Sequence, residues 1–252
     1  MTSLFAPDDD ADQALADLSV DGEQQHLQAN EIGRGESIVQ HGVATLGPLT
    51  IDCDGEIDGQ IWGAGHALAS YLLFGGGGAE LFKDSWPCVV EVGAGTGIAG
   101  LAAAASGASS VVLTDLPKCV ARLEAAIERN AGAFAETGCV VEAAPLAWGD
   151  ADQARAALGP DCEADVVIAA DVTYSANSLA ELVATLEALA APNGAPVYVA
   201  AEKRWPELEA LWATALAASR MSVVGTRDLP RSAKLPRTVV LQELRFDASA
   251  VS

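Results

Sequence analysis

From Cys88 onward the chain alternates between short, wholly apolar runs and longer stretches whose apolar residues recur every three or four positions. "CVVEV" reads as a strand, "IAGLAAAAS" as a small-residue helix and "SVVLTD" as a second strand. In "PKCVARLEAAIERN" the side chains of Val120, Leu123, Ala126 and Ile127 share one helical face. "GCVVEAAP" and "ADVVIAAD" predict a third and a fourth strand. The latter is apolar along its length, which requires cover on both faces, as at the centre of a parallel sheet. Leu179, Leu182, Val183, Leu186 and Leu189 then fall at helical spacing. "PVYVAAEK" predicts a fifth strand and "PELEALWATALAAS" a helix opened by proline, and "MSVVGTRD" and "RTVVLQELRF" close the chain as two strands with no helix between them.

Upstream, "SIVQHGVATLGPLTIDCDG" alternates as a hairpin does, "QIWGAGHALASYLL" predicts a helix, and "GGGG" at Gly75 to Gly78 predicts a loop. Strands alternating with helices and ending in a strand pair predict an α/β sandwich built on a mostly parallel sheet. Ligands bind such sheets outside the carboxyl ends of the strands, where the connections diverge to opposite faces. That rule gathers Glu91 to Gly97, Asp115 and Asp171 on one rim.

Composition changes this picture in a few places. The chain has 252 residues, enough for one large domain. Residues 1–36 are rich in Asp, Glu and Gln and predict a flexible acidic tail, leaving 37–252 as the folded domain. A net charge of −21 argues against binding a nucleic-acid backbone and is compatible with a basic partner or simply with solubility. Five widely spaced cysteines without a C-x-x-C pair predict reduced thiols in the cytoplasm or nucleus. "MTSLFAPDDD" lacks the basic, apolar start of a secretion signal. The uncharged stretch from Val92 to Thr114 is mostly Gly, Ala and Ser and is broken by "SGASS", so it predicts helix, turn and strand rather than a membrane span. The three histidines, His26, His41 and His66, fall early in the chain, away from the rim. With no H-E-x-x-H, G-x-S-x-G or P-loop motif, neither metal-dependent nor histidine-base chemistry is expected.

The candidate chemistry begins at "VVEVGAGTGIAG". Gly95, Gly97 and Gly100 satisfy G-x-G-x-x-G, and Asp115 follows Gly95 by twenty positions, as in dinucleotide enzymes. The register differs: the first glycine after the strand is Gly93, which puts Ile98 where the third glycine belongs. Glu91, two residues before that glycine, is read as an acid bordering the ligand site. Facing a diphosphate, it would cost roughly 4 kcal/mol at 4 Å and an effective dielectric near 20. S-adenosylmethionine carries an ammonium, a sulfonium, one carboxylate and no phosphate. It suits Glu91, with the helix-start amides near Gly97 receiving the carboxylate. Asp115 suits the ribose of either ligand. Taken singly, Glu91 reads equally as a solvated strand end and Asp115 as the cap of the helix that Pro117 helps to start.

Together, "EVGAGTG" and "VVLTD" resemble the cofactor-binding region of the class I, seven-strand methyltransferases that use S-adenosylmethionine. "AWGD" at Ala147 to Asp150, "AADVTYS" at Ala169 to Ser175 and "IWGAGHALASYL" resemble the set found in the small non-SET protein-lysine methyltransferases, methyltransferase family 16. The resemblance spans Ser37 to Phe246. It implies a Rossmann-like three-layer sandwich with a seven-stranded, mostly parallel sheet, one antiparallel strand, and an N-terminal hairpin and helix. It also implies that Gly93, Ala94 and Gly95 line the methionine part of the cofactor, that Asp115 binds ribose with Leu116 beside it, and that Trp148 flanks the adenine. Trp62 would close the pocket, and Ala170 and Tyr174 would lie near the incoming substrate. Val172 and Thr173 within D-x-x-Y, and Gly63 after Trp62, depart from the family's usual forms and leave substrate choice open.

The expected reaction is methylation of a lysine side chain of a non-histone protein. Asp171 would capture and orient the amine, with Tyr174 as a further hydrogen-bond partner. Two alternatives stay open on sequence alone: N-methylation of a small amine, and a catalytically silent module that binds the cofactor or a partner. A nicotinamide-dependent reading requires NAD to bind instead. Neither nucleic acid nor membrane is an expected partner.

Overall fold

The computed structural model describes residues 41–82, 87–159, 163–203, 206–229 and 238–248. The proposed acidic tail lies outside them. Strands β1 (His41–Leu46) and β2 (Leu49–Asp54) form an antiparallel hairpin. Helix α1 (Gly63–Phe74) follows, and after it the short helix α2 (Gly77–Leu81). Then come β3 (Cys88–Val92), α3 (Ile98–Ala105), β4 (Ser110–Asp115), α4 (Val120–Phe134), β5 (Val140–Pro145) and α5 (Ala151–Leu158). The chain continues with β6 (Val166–Ala170), α6 (Leu179–Ala190), β7 (Val197–Glu202), α7 (Pro206–Ala217), β8 (Met221–Asp228) and β9 (Val239–Phe246).

The seven strands β3 to β9 form one sheet in the order β5-β4-β3-β6-β7-β9-β8. Strand β9 alone runs antiparallel to both its neighbours, because the last two strands are joined without a crossover helix. Alternation along the strands divides the core. Val89, Val111, Leu113 and Ile168 pack with α1, α3, α4 and the hairpin, whereas Val90, Val92, Val167 and Val199 pack with α6 and α7 on the opposite face. This is the expected three-layer sandwich. The sheet order reverses between β3 and β6, so the crevice of a doubly wound sheet opens at their carboxyl ends.

Two local expectations need correction. The glycine tetrad is not all loop: Gly77 and Gly78 open α2. A Cβ on Gly77 would lie 2.5 Å from the Tyr71 ring, and one on Gly78 would lie 2.7 Å from the Ser106 Cβ, so these glycines allow close packing. Helix α5, for which no element is predicted, carries only a short apolar stripe, Ala154 with Ala157 and Leu158, against the core. It is nucleated instead by Asp150, whose carboxylate accepts from the N–H groups of Asp152 and Gln153.

The hairpin is tied to the sandwich by Asn130 on α4, which is 3% exposed. Its Oδ1 accepts from the Thr50 N–H at 2.7 Å and its amide donates to the Thr50 carbonyl at 2.9 Å. Asn130 thus satisfies a strand residue's backbone as a neighbouring strand would. Replacing Asn130 with Ala should lower the unfolding free energy by about 1–3 kcal/mol, measured as a lower urea midpoint at unchanged slope. A midpoint equal to that of the parent would show that the tie contributes nothing.

Candidate functional site

At the carboxyl ends of β3, β4 and β6 lies a cleft of about 480 Å³. Trp62, Gly93, Gly95, Asp115, Leu116, Trp148, Ala170, Asp171 and Tyr174, all singled out by sequence, line it. Its floor is the turn from β3 into α3, where Gly93, Gly95 and Gly97 take φ values of 67°, 55° and 76°. These are left-handed conformations that favour glycine. A Cβ on Gly93 would lie 2.9 Å from Val172 and 3.2 Å from the Trp148 ring, and one on Gly95 would lie 3.2 Å from the Asp58 carbonyl. Side chains there would fill the cleft.

Asp115 holds this turn in place. One carboxylate oxygen accepts from the Gly95 N–H at 2.7 Å and the other from the Leu116 N–H at 2.7 Å. A carboxylate has about four acceptor positions, so Asp115 can still receive hydroxyl donors from a ligand.

Three expected residues do not line the cleft. Ala94 is buried, with its N–H donating to the Thr114 carbonyl at 2.9 Å. Gly97 caps α3 from within the core, and its N–H donates to the Ala94 carbonyl at 2.7 Å. Glu91 is 2% exposed. Strand alternation turns it with Val89 toward α3, where its carboxyl accepts from the Gly100 N–H at 2.8 Å. Burial pushes the Glu91 carboxyl up to about 8, with the Asp115 charge adding to the rise and the Gly100 hydrogen bond opposing it. Burial thus disfavours its charged form, and the side chain does not reach the cleft. The electrostatic role assigned to Glu91, and the carboxylate receptor assigned to the amides near Gly97, are therefore corrected. The acids that do face the cleft are Asp58, Asp115 and Asp171.

The opposite wall begins at Asp171, the one non-glycine residue with positive φ (55°) among the described residues. Its N–H donates to the Ala200 carbonyl at 2.9 Å, and its Oδ2 accepts from the Ala64 N–H at 2.8 Å. The cap position of α1 is Trp62, whose side chain cannot accept a hydrogen bond, so Asp171 caps α1 from across the cleft. Trp62 in turn donates its indole N–H to the Ile57 carbonyl at 2.9 Å.

Trp148 and Tyr174 are tilted against each other, with ring centroids 6.1 Å apart. The backbone beside Trp148 is fixed on both sides. Ala147 N–H donates to Gln153 at 2.8 Å and Gly149 N–H to Thr185 at 2.8 Å. The "AWGD" stretch thus works as a unit, with Asp150 starting α5, Gly149 turning the chain and Trp148 projecting into the cleft.

Sequence reasoning did not find Ile57, Asp58, Lys118, Leu146, Val172, Ser175 or Ser178, which also line the cleft. Asp58 pairs with Lys118 at 2.8 Å and Arg122 at 3.2 Å and accepts from the Cys119 thiol at 2.9 Å. Burial alone would raise its pKa, but the Cys119 and Lys118 hydrogen bonds and the Arg122 charge outweigh it and hold the carboxyl at about 2. Its contacts come from a separate helix, and no short motif announces them.

The profile of a family described as lysine methyltransferase matches residues 48–217. The mouse protein N-lysine methyltransferase METTL21A is 34% identical over 133 residues, covering 53% of this chain and 56% of that protein. Mouse EEF1A lysine methyltransferase 3 is 33% identical over 145 residues, covering 58% of this chain and 56% of that protein. The chain therefore spans about half the length of these relatives. Among solved structures, Pyrococcus horikoshii TYW2 in complex with MeSAdo superposes with a TM-score of 0.51 at 16% identity, covering 82% of this chain and 71% of that one. That likeness concerns the fold alone.

The buried Glu91 yields a pH test. An unfolded glutamate titrates near about 4.3. Because the folded value is raised, Glu91's contribution to stability is complete below the unfolded pKa and is lost as pH rises toward the folded value of about 8. Glu91→Gln keeps an acceptor for Gly100 and does not titrate. Its unfolding free energy relative to the parent should therefore rise steadily between pH 5 and pH 8. A difference that stays flat over this range would mean that the carboxyl is already ionised in the fold.

Proposed function

The chain belongs to the lysine methyltransferase family, and from that premise we propose that it is an S-adenosylmethionine-dependent N-methyltransferase that modifies a lysine side chain of a non-histone protein. The observation that carries the proposal is that the family match, residues 48–217, contains every residue lining the cleft.

The cleft suits this cofactor on its own chemistry. Trp148, Leu116 and Leu146 offer flat or apolar cover for a purine, and Asp115 offers acceptors for vicinal hydroxyls. The side-chain-free surface at Gly93 and Gly95 admits the amino-acid end. A diphosphate is poorly served. Asp58 and Asp115 face the cleft, its one lysine, Lys118, is paired with Asp58, and the N–H groups of Gly97 and Gly100 are already used. When bound, the cofactor supplies a methyl group activated on a sulfonium.

The protein's part is to deliver a neutral amine in line with that methyl and to exclude water. Free lysine titrates near about 10.4 and so arrives protonated. Asp171 draws the ammonium in. One of its oxygens is held by the Ala64 N–H, which fixes the carboxylate's orientation before substrate arrives. The charge of Asp171 favours the ammonium, whereas burial between Trp62, Trp148 and Tyr174 favours the free amine, so the proton leaves as the site closes. A second cavity of about 330 Å³ shares Asp171 and Tyr174 with the cleft and gives the substrate chain a route to these residues from the α7 side. We assign the activity to the cytoplasm or nucleus, a reading supported by Cys53, Cys119 and Cys139, which are buried and form no disulfide among the described residues.

Incubation with methyl-labelled cofactor and a protein extract should label a discrete protein band at its lysines. Label confined to small molecules would favour a small-amine enzyme, and cofactor binding without any transfer a silent module. Asp171→Ala should abolish labelling while cofactor affinity survives. It should also lower stability by about 1 kcal/mol through loss of the cap. Asp171→Asn retains an acceptor for Ala64 and tolerates left-handed φ, so it should restore stability without restoring turnover. Parent-like turnover in Asp171→Asn would reduce the residue to a helix cap.

A further inference from the structure

The near wall of the cleft does not belong to the sheet. It is the connection from Asp54 to Trp62, which includes a short 3₁₀ turn at Ile57–Gly59. This segment contributes Ile57, Asp58 and Trp62 to the cleft and brings the Asp58 carbonyl against Gly95. Its far end is anchored by Ile61, which is buried in the core, and by the Gln60 amide on the Gly55 carbonyl, whereas side-chain charge holds the Ile57–Gly59 turn itself.

The Arg122 guanidinium reaches Asp54 at 2.8 Å and Asp58 at 3.2 Å, so one planar cation grips both ends of the bend. Asp54 also accepts from the Glu56 N–H at 3.0 Å, and Gly59 packs so closely on the Asp54 carboxylate that a Cβ would overlap it. Lys118 and the Cys119 thiol complete the grip on Asp58 from the start of α4. Exposed ion pairs usually contribute little. Here the Asp58 and Arg122 side chains are 20% and 24% exposed, and four charged groups act on a single turn.

We propose that Asp58, gripped by Arg122, is a positioning residue for the methyl donor: it latches the Ile57–Gly59 turn over the glycine floor and so sets donor affinity without touching the chemical step. The inference rests on the methyltransferase reading of the cleft. Cys119 supplies a direct reporter. It is 1% exposed, and its thiol donates to the Asp58 carboxylate on the inner side of the latch. Opening the turn uncovers it, and a ligand that holds the turn down protects it.

The test uses the full chain with S-adenosylhomocysteine as the probe. Asp58→Asn should raise its dissociation constant about tenfold by calorimetry, the equivalent of one charge-assisted contact. The KM for the donor should rise in parallel, with kcat at saturating donor unchanged. Alkylation of Cys119, followed by mass spectrometry at fixed pH, should be slow in the parent. In Arg122→Met, which cuts the latch from the α4 side and keeps the Asp58 carboxylate beside the thiol, it should become at least about tenfold faster and slow again as S-adenosylhomocysteine is added. Arg122→Met should also reproduce the loss of donor affinity if Asp58→Asn folds poorly. Parent-like affinity in both variants with parent-like Cys119 reactivity in Arg122→Met would overturn the proposal, as would a loss of kcat at constant donor KM. If the parent chain itself fails to bind S-adenosylhomocysteine, the methyltransferase reading fails and the latch fails with it.

Discussion

A single hydrogen bond organises the site: the Asp115 carboxylate, at the end of β4, accepts the Gly95 N–H from the turn that leaves β3. It couples two adjacent parallel strands at the point where the chain must reverse into α3, and it fixes a turn whose three glycines sit in left-handed conformations. Because those positions carry no side chains, Trp148, Val172 and the Asp58 carbonyl can close around the turn. The resulting space has a bare floor, one central carboxylate and an aromatic wall.

The walls are held by different forces from the floor. On one side Asp171 caps α1 while facing the cleft, so a single carboxylate both fixes the start of Trp62's helix and lines the pocket. On the other side an ion-paired turn lies across the opening.

The strands were legible because apolar runs of five or six residues between glycines and helical periods leave few other assignments, as "CVVEV" and "ADVVIAAD" illustrate. Helix α5 is not, since it is a short helix started by a cap whose apolar stripe is mostly alanine, Ala154 and Ala157 with Leu158. Gly93, Gly95 and Asp115 are accessible through motif spacing and Asp171 through its place at a strand's carboxyl end, whereas Trp148 and Tyr174 come only with the family resemblance. Glu91 was misassigned for a reason the sequence itself contains. In a strand of alternating faces it shares its side with Val89, and that face is covered by α3. Nearness in sequence to the glycine turn is not nearness in space. Asp58 and Lys118 were missed because their partnership depends on how the segment after the hairpin meets α4, a tertiary contact with no local signature.

The central claim is that this floor accepts a phosphate-free adenosyl ligand through Asp115. The most direct measurement is calorimetric titration of the chain and of Asp115→Ala with S-adenosylmethionine and with NAD. The account predicts saturable binding of the sulfonium ligand by the parent, its loss in Asp115→Ala, and no heat from the dinucleotide. Tight uptake of NAD with no response to S-adenosylmethionine would contradict it.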